Sequence, residues 1–161
     1  MSWHLIYTKS RYEKAVAEKL TTLGVEVYCP LLRTRKQWSD RWKWVEEPLF
    51  RSYCFVEEPA EKDKVLAVPG VVRYIYYCGR PAVIRNNEMQ SLQDLLSRYT
   101  HESIESGILN AKDKIIIRSG ALSDKEAEVV HTTGHRATLY LEDMGLKVTV
   151  DLRKNLVEKV G

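Results

Sequence analysis

Residues 3–31, WHLIYTKSRYEKAVAEKLTTLGVEVYCPL, change their hydrophobic period twice within one short stretch, and that change decides the fold. Trp3 to Thr8 is an aromatic and apolar run closed by a polar residue, which predicts a strand. Ser10 followed by Glu13 has the spacing of a capping box, and Tyr12, Val16, Leu20 and Leu23 repeat at helical intervals until Gly24, a residue suited to the left-handed stop. From Val25 the period is two: Val25, Val27, Cys29 and Leu31 alternate with Glu26, Tyr28 and Pro30, as a second strand requires.

Working outward, RTRKQWSDRWKW at 33–44 predicts a hairpin with its tip at Ser39-Asp40-Arg41 and a returning arm from Trp42 to Phe50, with Pro48 at an edge or break. Leu49 to Val56 predicts a buried strand ended by Glu57-Glu58-Pro59. A short helix fits Ala60 to Val68, stopped by Pro69-Gly70. Val71 to Tyr77 gives another strand, and Cys78-Gly79-Arg80-Pro81 turns the chain. Asn86 or Asn87 caps a last helix to about Arg98, with Met89, Leu92, Leu95 and Leu96 on its inner face. The order β-α-β-β-α-β-α is that of a split βαβ unit, an antiparallel sheet with helices on one face, and places the chain in the α+β class.

The texture changes after residue 98. Tyr99 to Ala111 is polar and without a sustained period, which predicts a linker. Beyond it, Lys114–Arg118, Ala127–His131, Ala137–Leu141, Lys147–Asp151 and Leu156–Val160 predict five short strands, with turns at Ser119-Gly120, Thr133-Gly134 and Met144-Gly145. So many strands in so short a segment suggest a small closed all-β barrel, because closure hides strand edges. The expected organisation is a domain at 1–98, a linker at 99–111 and a barrel at 112–161. The turn glycines and β-branched residues of the last segment predict no helical form for it.

A length of 161 residues admits one ordinary domain or two small ones, and 44% hydrophobic residues suffice for a core. No stretch approaches the ~18–20 continuous apolar residues of a membrane-spanning helix. The first residues lack the pattern of an export signal, so a soluble, cytoplasmic protein without membrane contact is expected. Cys29, Cys54 and Cys78 are odd in number and far apart, which argues against a disulfide framework or a zinc ribbon and for buried, reduced thiols. The net charge of +3 is uneven: residues 1–56 carry ten Lys/Arg against six Asp/Glu, a hint of an anionic partner. No nucleophile elbow, dinucleotide fingerprint or phosphate loop is present, so no catalytic residue, cofactor or metal is expected. His131 and His135 have the spacing of a helical metal pair, but Thr132-Thr133-Gly134 between them predicts a turn.

Two groups of residues suit nucleic acid. Lys9, Arg11 and Lys14 cluster at the start of the first helix, where cations oppose the helix dipole and are better explained as phosphate contacts than as structural aids; a solvated charged face is the plainer alternative. The hairpin interleaves Trp38, Trp42 and Trp44 with Arg33, Arg35, Lys36, Arg41 and Lys43. Bases stack on aromatic faces while cations follow the backbone, so Arg35, Lys36, Trp38, Arg41 and Trp42 are candidate contacts; cross-strand tryptophan pairs that only stabilise the hairpin are the alternative.

The succession of WHLIY at 3–7, the helix with Glu13, EEPLFRSYCFVE at 46–57, Pro69-Gly70-Val71 with Tyr74, and KDKIIIRSGALSDKEAEVV at 112–130 with Leu156-Val157-Glu158 resembles the NusG family over nearly the whole chain. The first part is similar to the family's N-terminal domain and the second to its KOW barrel, of SH3-like form. Two departures point to its specialised paralogues, of the kind represented by RfaH and the UpxY proteins of capsule operons. Phe50-Arg51-Ser52-Tyr53 stands where general members have Phe-Pro-Gly-Tyr, and Ala127 replaces the glycine typical of the KOW motif.

The resemblance implies a monomeric, non-catalytic elongation and antitermination factor that suppresses pausing or termination on selected long operons, polysaccharide biosynthesis among them. It implies that Tyr7, Phe50, Tyr53, Phe55 and Tyr77 form an aromatic patch for the clamp helices of the largest RNA polymerase subunit, that non-template DNA runs past Lys9, Arg11 and Lys14, and that the KOW barrel recruits the ribosome or Rho. Alternation puts Tyr53 and Phe55 on one sheet face and Cys54 and Val56 on the other, so the aromatic face is expected bare if helices cover only the opposite one; a plain core is the alternative. A stand-alone RNA-binding module without polymerase contact is the rival function.

Overall fold

In the computed structural model the residues described are 2–116 and 130–153. The chain forms two compact units, Met1–Leu31 with Glu46–Asn86, and Leu32–Val45 with Asn87–Gly161. The hairpin and the last helix of the expected first domain therefore group with the C-terminal residues.

The first unit is built on β1 (Ser2–Thr8), β2 (Val27–Tyr28), β5 (Tyr53–Glu57), β6 (Val71–Tyr74) and β9 (Val83–Arg85). They form one antiparallel sheet in the order β2-β5-β1-β6, with β9 also paired to β1. Helix α1 (Glu13–Thr22) leads from β1, and α2 (Lys62–Leu66) from β5. Strand alternation sorts the side chains. Ile6, Cys54, Val56 and Tyr74 join Val16 and Leu20 of α1 and Val65 of α2 in one buried cluster.

Helix α1 ends as its sequence predicts. Gly24 takes φ 83, its N–H donates to Thr21 O, and the Val25 N–H donates to Leu20 O, the paired bonds of a Schellman stop. Its start differs. The N-cap residue is Tyr12 and no side chain caps it. Glu13 is buried and its Oε2 instead accepts from the Ser52 N–H at 2.7 Å, so the carboxylate satisfies the turn before β5 and not the helix end. Leu49 to Ser52, expected in the strand, form that turn, and Ser52 holds φ 68. Gly70, at φ 100, lies so close to α1 that a Cβ there would stand 2.7 Å from Tyr12 Cδ2 and 2.9 Å from Val16 Cγ2. The ribbon β7 (Tyr76–Tyr77) and β8 (Arg80–Pro81) turns through Cys78 and Gly79, both at positive φ as a tight hairpin needs.

The second unit contains most of the hairpin β3 (Leu31–Trp38) and β4 (Arg41–Pro48), whose tip falls at the expected Ser39-Asp40. Helix α3 (Asn86–Arg98) buries Met89, Leu92 and Leu95 as predicted. A four-stranded antiparallel sheet follows, β10 (Ile104–Ile108), β13 (Leu146–Asp151), β12 (Arg136–Leu141) and β11 (Val130–Thr133), in the order β10-β13-β12-β11. Its apolar pairs, Ala137 with Val150, Leu139 with Val148 and Leu141 with Leu146, stack along one buried face.

The chain is thus α+β, an antiparallel sheet with helices followed by a small β region, and three expectations need correction. The segment 99–111, read as a linker, carries β10: Glu105, Ser106 and Gly107 give it no apolar period, and pairing with β13 makes the strand. Lys114 to Ile116, read as the start of a strand, lie in helix α4 (Ala111–Ile116). The reason is a reciprocal cap, Asp113 N–H donating to Asn110 Oδ1 at 2.9 Å and Asn110 N–H to Asp113 Oδ2 at 3.0 Å. That helix also corrects the expectation of no helical structure after residue 108. Of the remaining strand expectations, those on residues 117–129 and on Leu156 to Val160 fall outside the described residues, and with them the expectations of a fifth strand and of a closed barrel.

Candidate functional site

Register fixes the aromatic surface of the first unit. Tyr7 on β1 lies opposite Tyr53 on β5 and, across its other edge, opposite Arg73 on β6. The two tyrosine rings meet edge to face at 5.9 Å, and the Arg73 guanidinium lies 5.9 Å from the Tyr7 ring centre. Tyr7 is 36% exposed, Tyr53 half-buried and Arg73 exposed, so the row Tyr53–Tyr7–Arg73 forms an accessible rim. One row further along the same face, Tyr28, Phe55 and Leu5 are in register.

Here the expectation of a bare face fails for two of its residues. Phe55 is 0% exposed and Phe50 3%. Tyr28 stacks on Phe55 at 6.4 Å and Phe50 meets it edge-on at 5.8 Å, so these rings are shared interior and support the rim without forming it. Tyr77 lies half-buried on the separate β7–β8 ribbon, next to exposed Tyr76. Arg73 is not among the residues the sequence singles out. Its place in this surface depends on strand pairing, which no local pattern reveals.

Lys9 and Arg11 are exposed on the β1–α1 connection, with Arg11 at φ 69. That connection is pinned where it leaves β1: Thr8 N–H donates to Ser52 O at 2.7 Å and Lys9 N–H to Gly70 O at 2.8 Å. Lys14 is committed in part to the fold, since its Nζ donates to Glu46 O at 2.9 Å.

The hairpin carries a ladder of cations on rings. Arg33 lies 5.1 Å from the Trp44 ring centre, Arg35 lies 5.3 Å from Trp42 and 5.8 Å from Trp44, and on the other face Lys43 lies 4.9 Å from Trp38. All three tryptophans are more than half exposed, and Lys36 and Arg41 are exposed beside them. The expected residues Arg35, Trp38 and Trp42 are thus brought into this ladder, with Arg33, Lys43 and Trp44 as further members. The strand root is held by His101, whose Nδ1 accepts from the Arg33 N–H at 2.8 Å while Nε2 faces Leu96 O at 2.8 Å. A cleft of about 310 Å³ opens between Arg33, Arg35 and Trp44 on one side and Thr100, His101 and Glu102 on the other.

Elsewhere, His4 Nδ1 lies 3.0 Å from Glu58 Oε1 with its ring edge-on to Tyr74. Burial, reinforced by the Glu58 charge, pushes the Tyr74 hydroxyl up to about 12, so it stays protonated at neutral pH. His135 is exposed in the turn after β11. Among the described residues no group of three or more His, Cys, Asp or Glu side chains is placed to hold a metal ion, and no helix is long and apolar enough to cross a membrane.

The first unit thus carries an exposed aromatic rim and the hairpin a cation–tryptophan ladder. Comparison with known proteins gives the kinship of the chain: residues 1–93 match the family described as NusG, transcription termination factor nusG, and the chain belongs to that family. It is 26% identical over 175 aligned positions to the transcription termination/antitermination protein NusG of Lactococcus lactis, covering 98% of this chain and 92% of that one. Among solved structures it is similar to one titled "Domain interaction in Thermotoga maritima NusG", at 25% identity, TM-score 0.42, covering 60% of this chain and 58% of that one.

Proposed function

We propose that this protein is a transcription elongation and antitermination factor that docks on RNA polymerase through the Tyr53–Tyr7–Arg73 rim and holds nucleic acid with its hairpin. The observation that carries the proposal is the rim itself. Two tyrosines from different strands are kept in edge-to-face contact at a partly exposed surface while the rings behind them are sealed. Tyrosine and arginine dominate protein interface hot spots because they bury much area at small entropic cost. A rim of tyrosine and arginine suits a helical partner such as the polymerase clamp helices.

Lys9 and Arg11 supply positive charge at the neighbouring β1–α1 connection, suited to the exposed non-template strand, and the hairpin's tryptophans offer stacking faces for unpaired bases or for the upstream duplex edge. Contacts to polymerase and to DNA, each weak, reinforce one another through effective concentration, which suits a factor that travels with the enzyme. The C-terminal region is the part available to recruit the ribosome or Rho. Ser52, in the left-handed turn where general members carry glycine, supports a specialised paralogue acting on selected long operons, with polysaccharide biosynthesis as the target class.

A pull-down of core RNA polymerase by the full chain tests this. Tyr7→Ala and Tyr53→Ala should each weaken capture about tenfold or more, as loss of ~2 kcal/mol at a hot spot implies. Undiminished capture by both variants overturns the docking surface. RNA binding with no polymerase capture by the wild type favours the stand-alone RNA-binding module instead.

A further inference from the structure

Cys29 follows β2 directly, and continuing the register that pairs Val27 with Val56 and Tyr28 with Phe55 sets it opposite Cys54 on β5. Residues opposed in an antiparallel pair have Cα atoms ~4.5–5.5 Å apart, inside the ~4.4–6.8 Å span that a disulfide bridges. Both side chains lie on the α1 side of the sheet, Cys54 within the buried cluster and Cys29 packed against it. The two thiols are near enough to share a hydrogen bond. We propose that Cys29 and Cys54 are a redox pair that closes into a cross-strand disulfide when the protein meets a hydroperoxide.

The two sulfurs are unequal, as such a reaction requires. Cys29 is half-buried and within reach of a small oxidant, whereas Cys54 is sealed. The hydrogen bond from Cys54 lowers the Cys29 thiol below its ordinary value, outweighing burial and the Glu13 charge, with help from the Lys14 ammonium. The same bond, with burial, raises Cys54, so it keeps its proton and acts second. The Cys29 thiolate attacks the peroxide: the S–O bond forms, the O–O bond breaks, and an alcohol or water leaves after taking a proton. The Cys54 sulfur then gives up its proton and attacks the Cys29 sulfenic acid. The S–S bond forms, the S–O bond breaks, and water departs, so two thiols are oxidised by two electrons and one hydroperoxide is reduced.

Closure removes the Cys54 S–H, whose sulfur lies 3.5 Å from the Glu13 carbonyl oxygen, and ties the edge strand β2 to β5 beside the Tyr28–Phe55 stack.

The test uses the full chain in a Cys78→Ser background, because Cys78 is exposed and open to linkage between molecules. The protein is treated with hydrogen peroxide at pH 7, quenched by alkylation in denaturant, and digested without reductant for mass spectrometry. The expected result is a peptide carrying Cys29 joined to one carrying Cys54, an intact mass lower by two hydrogens, and loss of both alkylatable thiols until dithiothreitol restores them. Cys29 found as sulfinic or sulfonic acid while Cys54 remains fully alkylatable overturns the pair. So does survival of both thiols under conditions that oxidise Cys78 in the wild type. In Cys54→Ala, if it folds, Cys29 sulfenic acid should accumulate and be trapped by dimedone; the linkage in the Cys78→Ser protein decides the matter whether or not that variant folds.

Discussion

Replacing Glu13 by alanine separates two accounts of how the first helix is fixed. A capping box would make Ser10 and Glu13 partners at the helix end, and loss of the Ser10 hydroxyl would then cost about 1 kcal/mol. In the structure no side chain caps α1, and the buried Glu13 carboxylate receives the Ser52 N–H at 2.7 Å. A hydrogen bond to a charged acceptor contributes ~1.5–3 kcal/mol, and a carboxylate in the first helical turn adds ~0.3–1. Glu13→Ala should therefore cost ~2–3 kcal/mol, since it also leaves the part-buried Ser52 amide without its acceptor. Glu13→Gln, which keeps an uncharged acceptor, should cost about half as much. Ser10→Ala should stay within about 0.5 kcal/mol. In urea titrations, with a slope of ~2 kcal/mol per molar, Glu13→Ala moves the midpoint down by about 1 M and Ser10→Ala barely moves it. A Ser10→Ala loss equal to or larger than that of Glu13→Ala would refute the reasoning and restore the capping box.

Other outcomes follow from the same geometry. Ser52→Gly should stabilise by ~0.5–1 kcal/mol, the relief of left-handed strain less the greater freedom of glycine in the unfolded chain, visible as a rise in Tm of a few degrees. Gly70→Ala should cost ~2–3 kcal/mol in the same titration, because its φ of 100 and the contacts with Tyr12 and Val16 leave a methyl nowhere to go. Trp42→Ala and Trp44→Ala should each weaken binding of single-stranded oligonucleotide by ~1–3 kcal/mol in fluorescence anisotropy, while Arg35→Ala lowers the salt slope by about one. Burial raises the Asp113 carboxyl, but the Lys147 ammonium, the Asn110 amide and the nearby Lys112 charge outweigh it, so its pKa is lowered on folding. Its contribution is full above the unfolded value near ~3.9 and is lost as the pH falls through the depressed folded value, so Asp113→Asn should be less stable than wild type at pH 7 and converge with it in acid.

Much of the first sheet is legible in the sequence because each of its signals is local. The α1 pattern, Gly24 and the Ser39-Asp40 tip act within a few residues, and the structure places them where those signals say. Most of what fails is decided at a distance, the local Asn110–Asp113 cap that starts α4 excepted. Glu13 is drawn from Ser10 by an amide thirty-nine residues away, and β10 exists because β13 completes its ladder. Phe50 and Phe55 show the same limit in the candidate site. Strand alternation identifies their face correctly, but whether a face is covered depends on which rings fold over it, and Tyr28 does so from a strand whose own sequence only says that it alternates. Tyr7 and Tyr53 were readable as candidates, yet the contact of Tyr7 with Arg73 required the register of β6.

Residues 7, 53 and 73 lie on three strands that meet only when the sheet is assembled. No peptide cut from the chain carries this surface, and a one-residue slip of any strand would turn its member toward the helices. Under the docking proposed above, recognition would double as a proofreading of the fold: a partner gripping the tyrosine rim would accept only copies whose strands are in step, and misfolded copies would be denied entry without any separate check.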